Sequence, residues 1–333
     1  MKRIGIRDVA EHAGVSIASV SNALNRPQRV SAALRERVRA SAETLGYAPM
    51  PAARQLRAGR SGLIGMTVIN ISNPFFGSLI RGAEDAASEE GMRVLAGNSD
   101  DDAAQERAHL GLFESVQVEG ALLAPFGDTQ SEVERLRGRG IPVVLVDATD
   151  PADELSSVSF DNAGGGRLAA RHLLEVGRRR VLFLGSRREI PHVREREDGA
   201  AAVLAEAGLS LPSERLPRTD PWAGRAFGAA LAERAPADRP DAVFCSNDHL
   251  AMGLVRALLD GGVRVPEDIA VVGFDDTSLA SVAAVPLTTV RQPALAMGAR
   301  AAKLLIAHIR DHRAPRESVV FAPELEIRAS TAG

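Results

Sequence analysis

Cysteine is almost missing from this 333-residue chain: Cys245 stands alone. That excludes an internal disulfide framework and a thiolate zinc site. The seven histidines are scattered and supply no metal cluster either. Aromatic residues make up only 4%, with a single tryptophan, Trp222. No stretch approaches the roughly 18 consecutive apolar residues that a membrane helix needs. The opening MKRIGIRDVAEHAGVS is basic but has no apolar core of the secretory kind. These absences point to the reducing cytoplasm. What is present is ordinary for a globular protein: 45% apolar and 25% charged residues. The length suits two or three domains, a sizeable core is available, and wholesale disorder is excluded.

Charge is unevenly distributed. The whole chain carries 40 basic and 43 acidic side chains, a net of -3. Residues 1–60 contain eleven basic and four acidic residues, a net of +7, which leaves −10 for the remainder. A basic head on an acidic body suggests a polyanionic partner, although a solvated basic face would look the same by charge alone.

The head also carries a pattern. In IRDVAEHAGVSIASVSNALN, Val9, Ala10 and Ala13 have helical spacing, as do Val20, Ala23 and Leu24. Gly14 falls where the first helix must stop and turn, a position that favours positive φ. Ser16 suits the N-cap of a second helix, and small Ala10 lets two helices cross closely. Ser31 caps a third helix with Leu34, Val38 and Leu45 inside. A short helix pair with a tight turn is a helix-turn-helix, and an ordinary helical hairpin is the plainer alternative. In the former, the start of the second helix reads base edges. Ile17, Ala18 and Asn22 therefore set sequence preference. Asn22 is suited to adenine, and the two apolar residues to thymine methyls. Ser16, Ser19, Ser21 and Asn25, with Arg29, anchor phosphates or position the helix.

The body alternates short apolar runs with amphipathic segments. GLIGMTVI, MRVLAG, GALLAP and PVVLVD read as four buried strands in the first half, and SVSF, RVLFLG, AVFCSN and IAVVGFD as four in the second. This alternation predicts parallel sheets covered on both faces, in two similar lobes with a cleft between them. Ligands in such sheets bind beyond the carboxyl ends of the strands. The residues there are Asn73 and Phe75, Asp147, Asn247 and Asp248, and Asp275 and Asp276. Asp248, opening a helix, is the main candidate for a capping role. Trp222 lies in the strand-to-helix junction RTDPWAGRAFG, as part of a ligand wall or, like most lone tryptophans, of the core. Cys245, inside a strand, reads as a small core residue.

Two other functions fit parts of the chain. Gly164-Gly165-Gly166-Arg167-Leu168-Ala169 matches a G-x-G-x-x-A string after a strand, with Arg187 and Arg188 after the next, as in a nicotinamide enzyme. A glycine run meets that string by chance. No Ser–His–Asp or paired-carboxylate arrangement accompanies it. A solute-binding transport protein would share the two lobes but would need a signal peptide and have no use for a basic head.

DVAEHAGVSIASVSNALN resembles the DNA-binding head of the lactose/galactose repressor family of bacterial transcription regulators. The resemblance continues through LGYAPMPAARQLRAGRSGLIGMTVINISNPFF, DNAGGGRLAARHLLEVGRRRVLFLG, FCSNDHLAMGLVRALLDGGVRVPEDIAVVGFDD and PLTTVRQPALAMGARAAKLL, nearly the whole chain. It implies an all-α helix-turn-helix head (residues 1–48), a hinge (49–61), and an α/β two-lobed core of the periplasmic-binding-protein type with Rossmann-like parallel sheets. The first lobe would comprise 62–161 with 292–318, and the second 162–291 with 319–333. It also implies a repressor that binds a pseudo-palindromic DNA operator as a homodimer. The effector, a sugar or sugar derivative, would be held by Asp147, Arg196, Trp222, Asn247 and Asp275, with Phe75 in the wall. His192 is a weaker candidate for the same cleft. Arg196 would present a planar fork of donors to vicinal oxygens. In the family, paired hinge helices lie in the minor groove. Here Ala53 and Leu56 share one face of such a helix, with Leu56 as the wedge. Met50 stands where relatives often have a capping Asn, so the hinge helix forms only on DNA. No cofactor, metal or membrane partner is implied. The absence of leucine heptads before Gly333 points to a dimer rather than a tail-linked tetramer.

Overall fold

Three short helices make up the first unit of the chain, Met1–Ser61. In the computed structural model, which describes residues 4–25, 27–47, 61–186 and 190–332, they are α1 (Ile6–His12), α2 (Ile17–Asn25) and α3 (Ala32–Leu45). The side chains of Asn25 and Pro27 also fall outside the description. Gly14 has φ +62°, and the Val15 N–H donates to Ala10 O (3.0 Å), which turns the chain sharply between α1 and α2. Ser16 Oγ accepts from the Ser19 N–H (3.1 Å), and Ser31 Oγ from the Leu34 N–H (3.3 Å), so both expected caps are in place. Val9, Ala10, Ala13, Val20 and Ala23 are buried together with Val38 and Ala42 of α3. The small residues let the helices approach closely enough for a core this small to close.

The second unit, Gly62–Gly333, is built on two parallel sheets. The first contains β1 (Leu63–Val68), β2 (Arg93–Asn98), β3 (Gly120–Leu123), β4 (Val143–Val146), β5 (Ser156–Phe160) and β11 (Ser318–Phe321), in the order β11-β5-β4-β3-β1-β2. The second contains β6 (Val181–Gly185), β7 (Ser213–Arg215), β8 (Ala242–Cys245), β9 (Ala270–Asp275), β10 (Thr288–Arg291) and β12 (Glu324–Glu326), in the order β12-β10-β9-β8-β6-β7. All recorded pairings are parallel except β10 with β12. Runs such as VVLV in β4 and AVFC in β8 are buried throughout, as strands covered by helices on both faces must be.

SVSF, grouped with the second-half strands in the sequence, is β5 of the first sheet, paired with β4 and β11. The chain then crosses to the second lobe through the helix Asn162–Glu175, returns through Ala294–Arg310, and crosses again between β11 and β12. The last exchange was expected at 318/319. It occurs one strand later, because β11 pairs along β5 from Ser318 to Phe321.

Three helix pairs cover the sheets at close range: Pro74–Glu89 with Ala294–Arg310, Asn162–Glu175 with Pro191–Glu206, and Pro221–Glu233 with Asp248–Asp260. Each crossing has glycine on both partners, Gly82/Gly298, Gly166/Gly199 and Gly224/Gly253. A Cβ at any of these would overlap a backbone carbonyl of the opposite helix.

Candidate ligand cleft and nucleic-acid interface

On the head, helix α2 buries one side and presents the other. Ile17 is 42% exposed, and Ala18 and Asn22 are also exposed. These are the three residues expected to face base edges. Ser16 and Arg29 are exposed and Ser19 is half-buried, with its hydroxyl 2.9 Å from that of Ser16. Ser21 departs from expectation: at 5% exposure it lies on the packed side of α2, next to Val20, and not with the outward-facing groups. Asn25 ends α2, and its side chain is outside the description; Ala53 and Leu56 lie outside the described residues altogether.

In the second unit, the carboxyl ends of strands from both sheets converge on a cavity of about 310 Å³, within the size range of small-molecule sites. Phe75, Asp147, Arg196, Trp222, Asn247 and Asp275 all line it, and so does His192. Arg196 lies at its floor, 4% exposed, with its guanidinium carbon 3.7 Å from the centroid of the Phe274 ring. Its Nε donates to Asn162 Oδ1 (2.9 Å) and its Nη1 to Ser246 O (2.7 Å), while Asp275 lies 3.8 Å away. The fork expected to meet a ligand is thus largely engaged with the protein, and its Nη2 edge is what remains. Asp275 is held from both lobes. Asn73 Nδ2 donates to its Oδ2 (2.9 Å) across the cleft, and Gln292 Nε2 to its Oδ1 (2.8 Å).

Helix starts account for the other positions. Asn247, expected as a ligand, is the N-cap of Asp248–Asp260, its Oδ1 accepting from the Leu250 N–H (2.8 Å). The capping role expected of Asp248 therefore belongs to its neighbour. Asp248 is fully buried and accepts instead from Thr289 Oγ1 (2.6 Å) and from the N–H of Thr277 (2.7 Å). Asp220 Oδ1 caps Pro221–Glu233 through the Ala223 N–H (2.9 Å). This puts Trp222, 74% exposed, at the rim and not in the core.

Burial dominates the electrostatics. Asp147 sits just past β4 with φ +57°, and its buried Oδ1 has no hydrogen-bond partner. Desolvation pushes its carboxyl up to about 7, against the pull of Arg196 and with the help of Asp275 and Glu195. Asp275 and Asp248 are raised as well, burial being the main cause in each. His192 is held down to about 3 by burial and by Arg196, which keeps it neutral. Between about pH 4 and 7, folded Asp147 keeps a proton that the unfolded chain has lost, so rising pH weakens the fold. The melting temperature of the core should fall from pH 5 to pH 8, and Asp147→Asn should flatten that slope. An unchanged slope in paired melts would show that Asp147 is ionised throughout.

Sequence reading missed Asn162, Ser246, Gln292, Arg218, Asp220 and His249. Ser246, Arg218, Asp220 and His249 line the cavity, and Asn162 and Gln292 brace Arg196 and Asp275 from behind. Only Asp220 left a signal, an Asp-Pro start to a helix. The glycine string has a structural explanation. It lies within the helix Asn162–Glu175, where Gly165 packs on Phe274 and Gly166 against the backbone of Arg196. Its glycines make room for helices, not for a pyrophosphate. Arg187 and Arg188 are outside the described residues.

A helix-turn-helix followed by two lobes around a polar cleft is the build of a ligand-responsive DNA-binding regulator. The family model "Bacterial regulatory proteins, lacI family" matches residues 5–50, and "Periplasmic binding protein-like domain" matches residues 170–331. The HTH-type transcriptional repressor PurR of Photobacterium profundum is 34% identical over 327 residues, 98% of each chain. The lac repressor dimer bound to operator and the anti-inducer ONPF superposes with a TM-score of 0.81 at 26% identity, covering 100% of both chains. A transcriptional regulator CelR–cellobiose complex has a TM-score of 0.70 at 30% identity, covering 98% of this chain and 100% of that one. The chain belongs to the LacI family of bacterial transcriptional regulators; it is a DNA-binding regulator with a small-molecule effector domain, not an enzyme. Among the described residues, no helix is long and apolar enough to cross a membrane.

Proposed function

We propose that the protein is a repressor that binds a pseudo-palindromic operator as a homodimer and is controlled by a sugar or sugar derivative in the inter-lobe cleft. The observation that carries this reading is the cleft itself. Its floor is the Asn73–Asp275 hydrogen bond between the lobes, beside Arg196, so an occupant bears on how the lobes meet. An effector acts only by preferring one lobe arrangement, and about 1.4 kcal/mol of such preference changes operator affinity tenfold. Asp147, Arg196, Asp275 and Asn247 supply hydrogen-bonding groups for hydroxyls, while Phe75 and Trp222 cover apolar CH faces. In the head, Ile17, Ala18 and Asn22 read bases, and Ser16, Ser19, Asn25 and Arg29 meet phosphates. In the hinge, Ala53 and Leu56 enter the minor groove, where Leu56 wedges a base step.

The experiment that tests this reading is selection of bound sequences from a random duplex library. Wild type should yield a twofold-symmetric site. Asn22→Arg, on the exposed face of α2, should shift preference from adenine to guanine in each half-site, with about 1–3 kcal/mol of discrimination at that base. A selected site with no symmetry, or one unmoved by the substitution, contradicts the reading.

A further inference from the structure

We propose that the cleft takes an uncharged, hydroxyl-donating saccharide and turns away its phosphate monoester. This rests on the sugar-effector reading above and narrows it to a charge class. Among the described residues, the cavity wall holds the carboxylates Asp101, Asp147, Asp220 and Asp275 against two guanidiniums, Arg196 and Arg218. Neither guanidinium is wholly free: Arg196 has only its Nη2 edge left, and Arg218, half exposed, is paired through its Nε. Arg196 is committed to Asn162, Ser246 O and Asp275, and stacked on Phe274. Arg218 pairs with Asp220 (2.8 Å) in its own lobe and approaches Asp100 (3.9 Å) in the other. Even with Asp147 protonated, a phosphate would meet no surplus of positive charge among the described residues of the wall.

The helix starts offer an oxyanion few free backbone amides. Four helices start at the cavity, and a helix start can hold an oxyanion with its first N–H groups. In three of them a side chain of the protein takes one of those groups: Asn73 accepts from the Phe75 N–H, Asp220 from the Ala223 N–H and Asn247 from the Leu250 N–H. Pro191–Glu206 has no cap from Ile190, and because its first residue is a proline without an N–H, His192 and Val193 are the first to offer one. His192 and His249 also line the cavity, and burial disfavours the charged form of both. Among the described residues, the buried side-chain atoms of the lining left without a partner are oxygens. Asp147 Oδ1 and Ser246 Oγ are both buried, and both residues line the cavity. Each can accept a hydrogen bond from a hydroxyl, whereas an ionised phosphate has almost nothing to donate.

The test is calorimetry on the full chain with matched pairs: ribose and ribose 5-phosphate, glucose and glucose 6-phosphate, galactose and galactose 6-phosphate, cellobiose and its 6-phosphate. Hypoxanthine serves as an uncharged non-sugar. A neutral sugar should bind, and its ester should bind about 100-fold more weakly or worse. Asp220→Asn keeps a capping oxygen while removing one carboxylate beside Arg218, and should narrow the ester-to-parent gap by about tenfold. An ester that binds as tightly as its parent overturns the proposal and leaves the sugar-effector reading intact. An unchanged gap in Asp220→Asn also overturns it, because the exclusion would then come from shape and not charge. Binding of hypoxanthine alone, or of no probe, removes both the proposal and the reading beneath it.

Discussion

Arg196→Ala should abolish the effector response and also weaken the core, by about 3–5 kcal/mol, the usual cost of removing one partner from a buried ion pair. The reason is in its surroundings. Removing the guanidinium leaves Asp275 and Asp147 without their nearest cation, takes a donor from Ser246 O and Asn162, and uncovers one face of Phe274. Were Arg196 only a fork of donors for the ligand, the same substitution would be a clean loss of ligand binding, with operator binding kept. Burial changes that expectation. Effector affinity by calorimetry should drop at least about 30-fold, and the melting temperature should fall with it. Trp222→Ala is the matched control. An exposed rim residue should lose affinity with little change in melting temperature. Equal effector affinity in Arg196→Ala would remove that side chain from the site.

Gly166→Ala carries the second large effect. The added methyl group would overlap Arg196 O, so the helices Asn162–Glu175 and Pro191–Glu206 must separate. Overpacking of this kind costs about 3 kcal/mol. Because the obstructed carbonyl belongs to Arg196, its guanidinium should move too, and effector affinity should fall with stability. Gly298→Ala supplies the contrast. It forces apart the helices Pro74–Glu89 and Ala294–Arg310 at the Leu79 carbonyl, at a crossing between other residues than those on the cleft floor. It should cost similar stability, roughly 6 °C or more in melting temperature, and leave binding by the surviving folded protein closer to wild type. If both variants melt like wild type, the close helix crossings are wrong.

Much of the architecture is legible in local patterns. The caps Ser16 and Ser31, the turn at Gly14 and the buried runs of β1, β4, β8 and β9 lie where spacing and residue type put them. Each depends on contacts a few residues apart, or on a continuous apolar run that only a strand covered on both faces can use. Short strands were missed: Ser213–Arg215, Thr288–Arg291, Ser318–Phe321 and Glu324–Glu326 are too brief, or too polar, to stand out. They exist because a neighbouring strand supplies the ladder.

At the cleft, residue type identified candidates but not their partners. Asn247 and Asp248 are adjacent and both polar, and only packing decides that the first caps the helix while the second is tied to Thr277 and Thr289. Ser21 looks like its neighbours Ser16 and Ser19 in composition, and the turn of α2 buries it. The Gly164–Gly166 run fits phosphate binding as well as helix packing until a second helix is seen lying against it.

Sequence by itself determined the head, the strand-and-helix alternation of the body and the family, because those rest on short-range periodicity and on motifs in order. Tertiary structure alone decided which sheet β5 and β11 join, that Arg196 is spent on protein groups, and that Asn73 reaches Asp275 across the cleft. These depend on atoms brought together from 12 to 202 residues apart, and such pairings are set by how whole elements pack, which local residue pattern does not record.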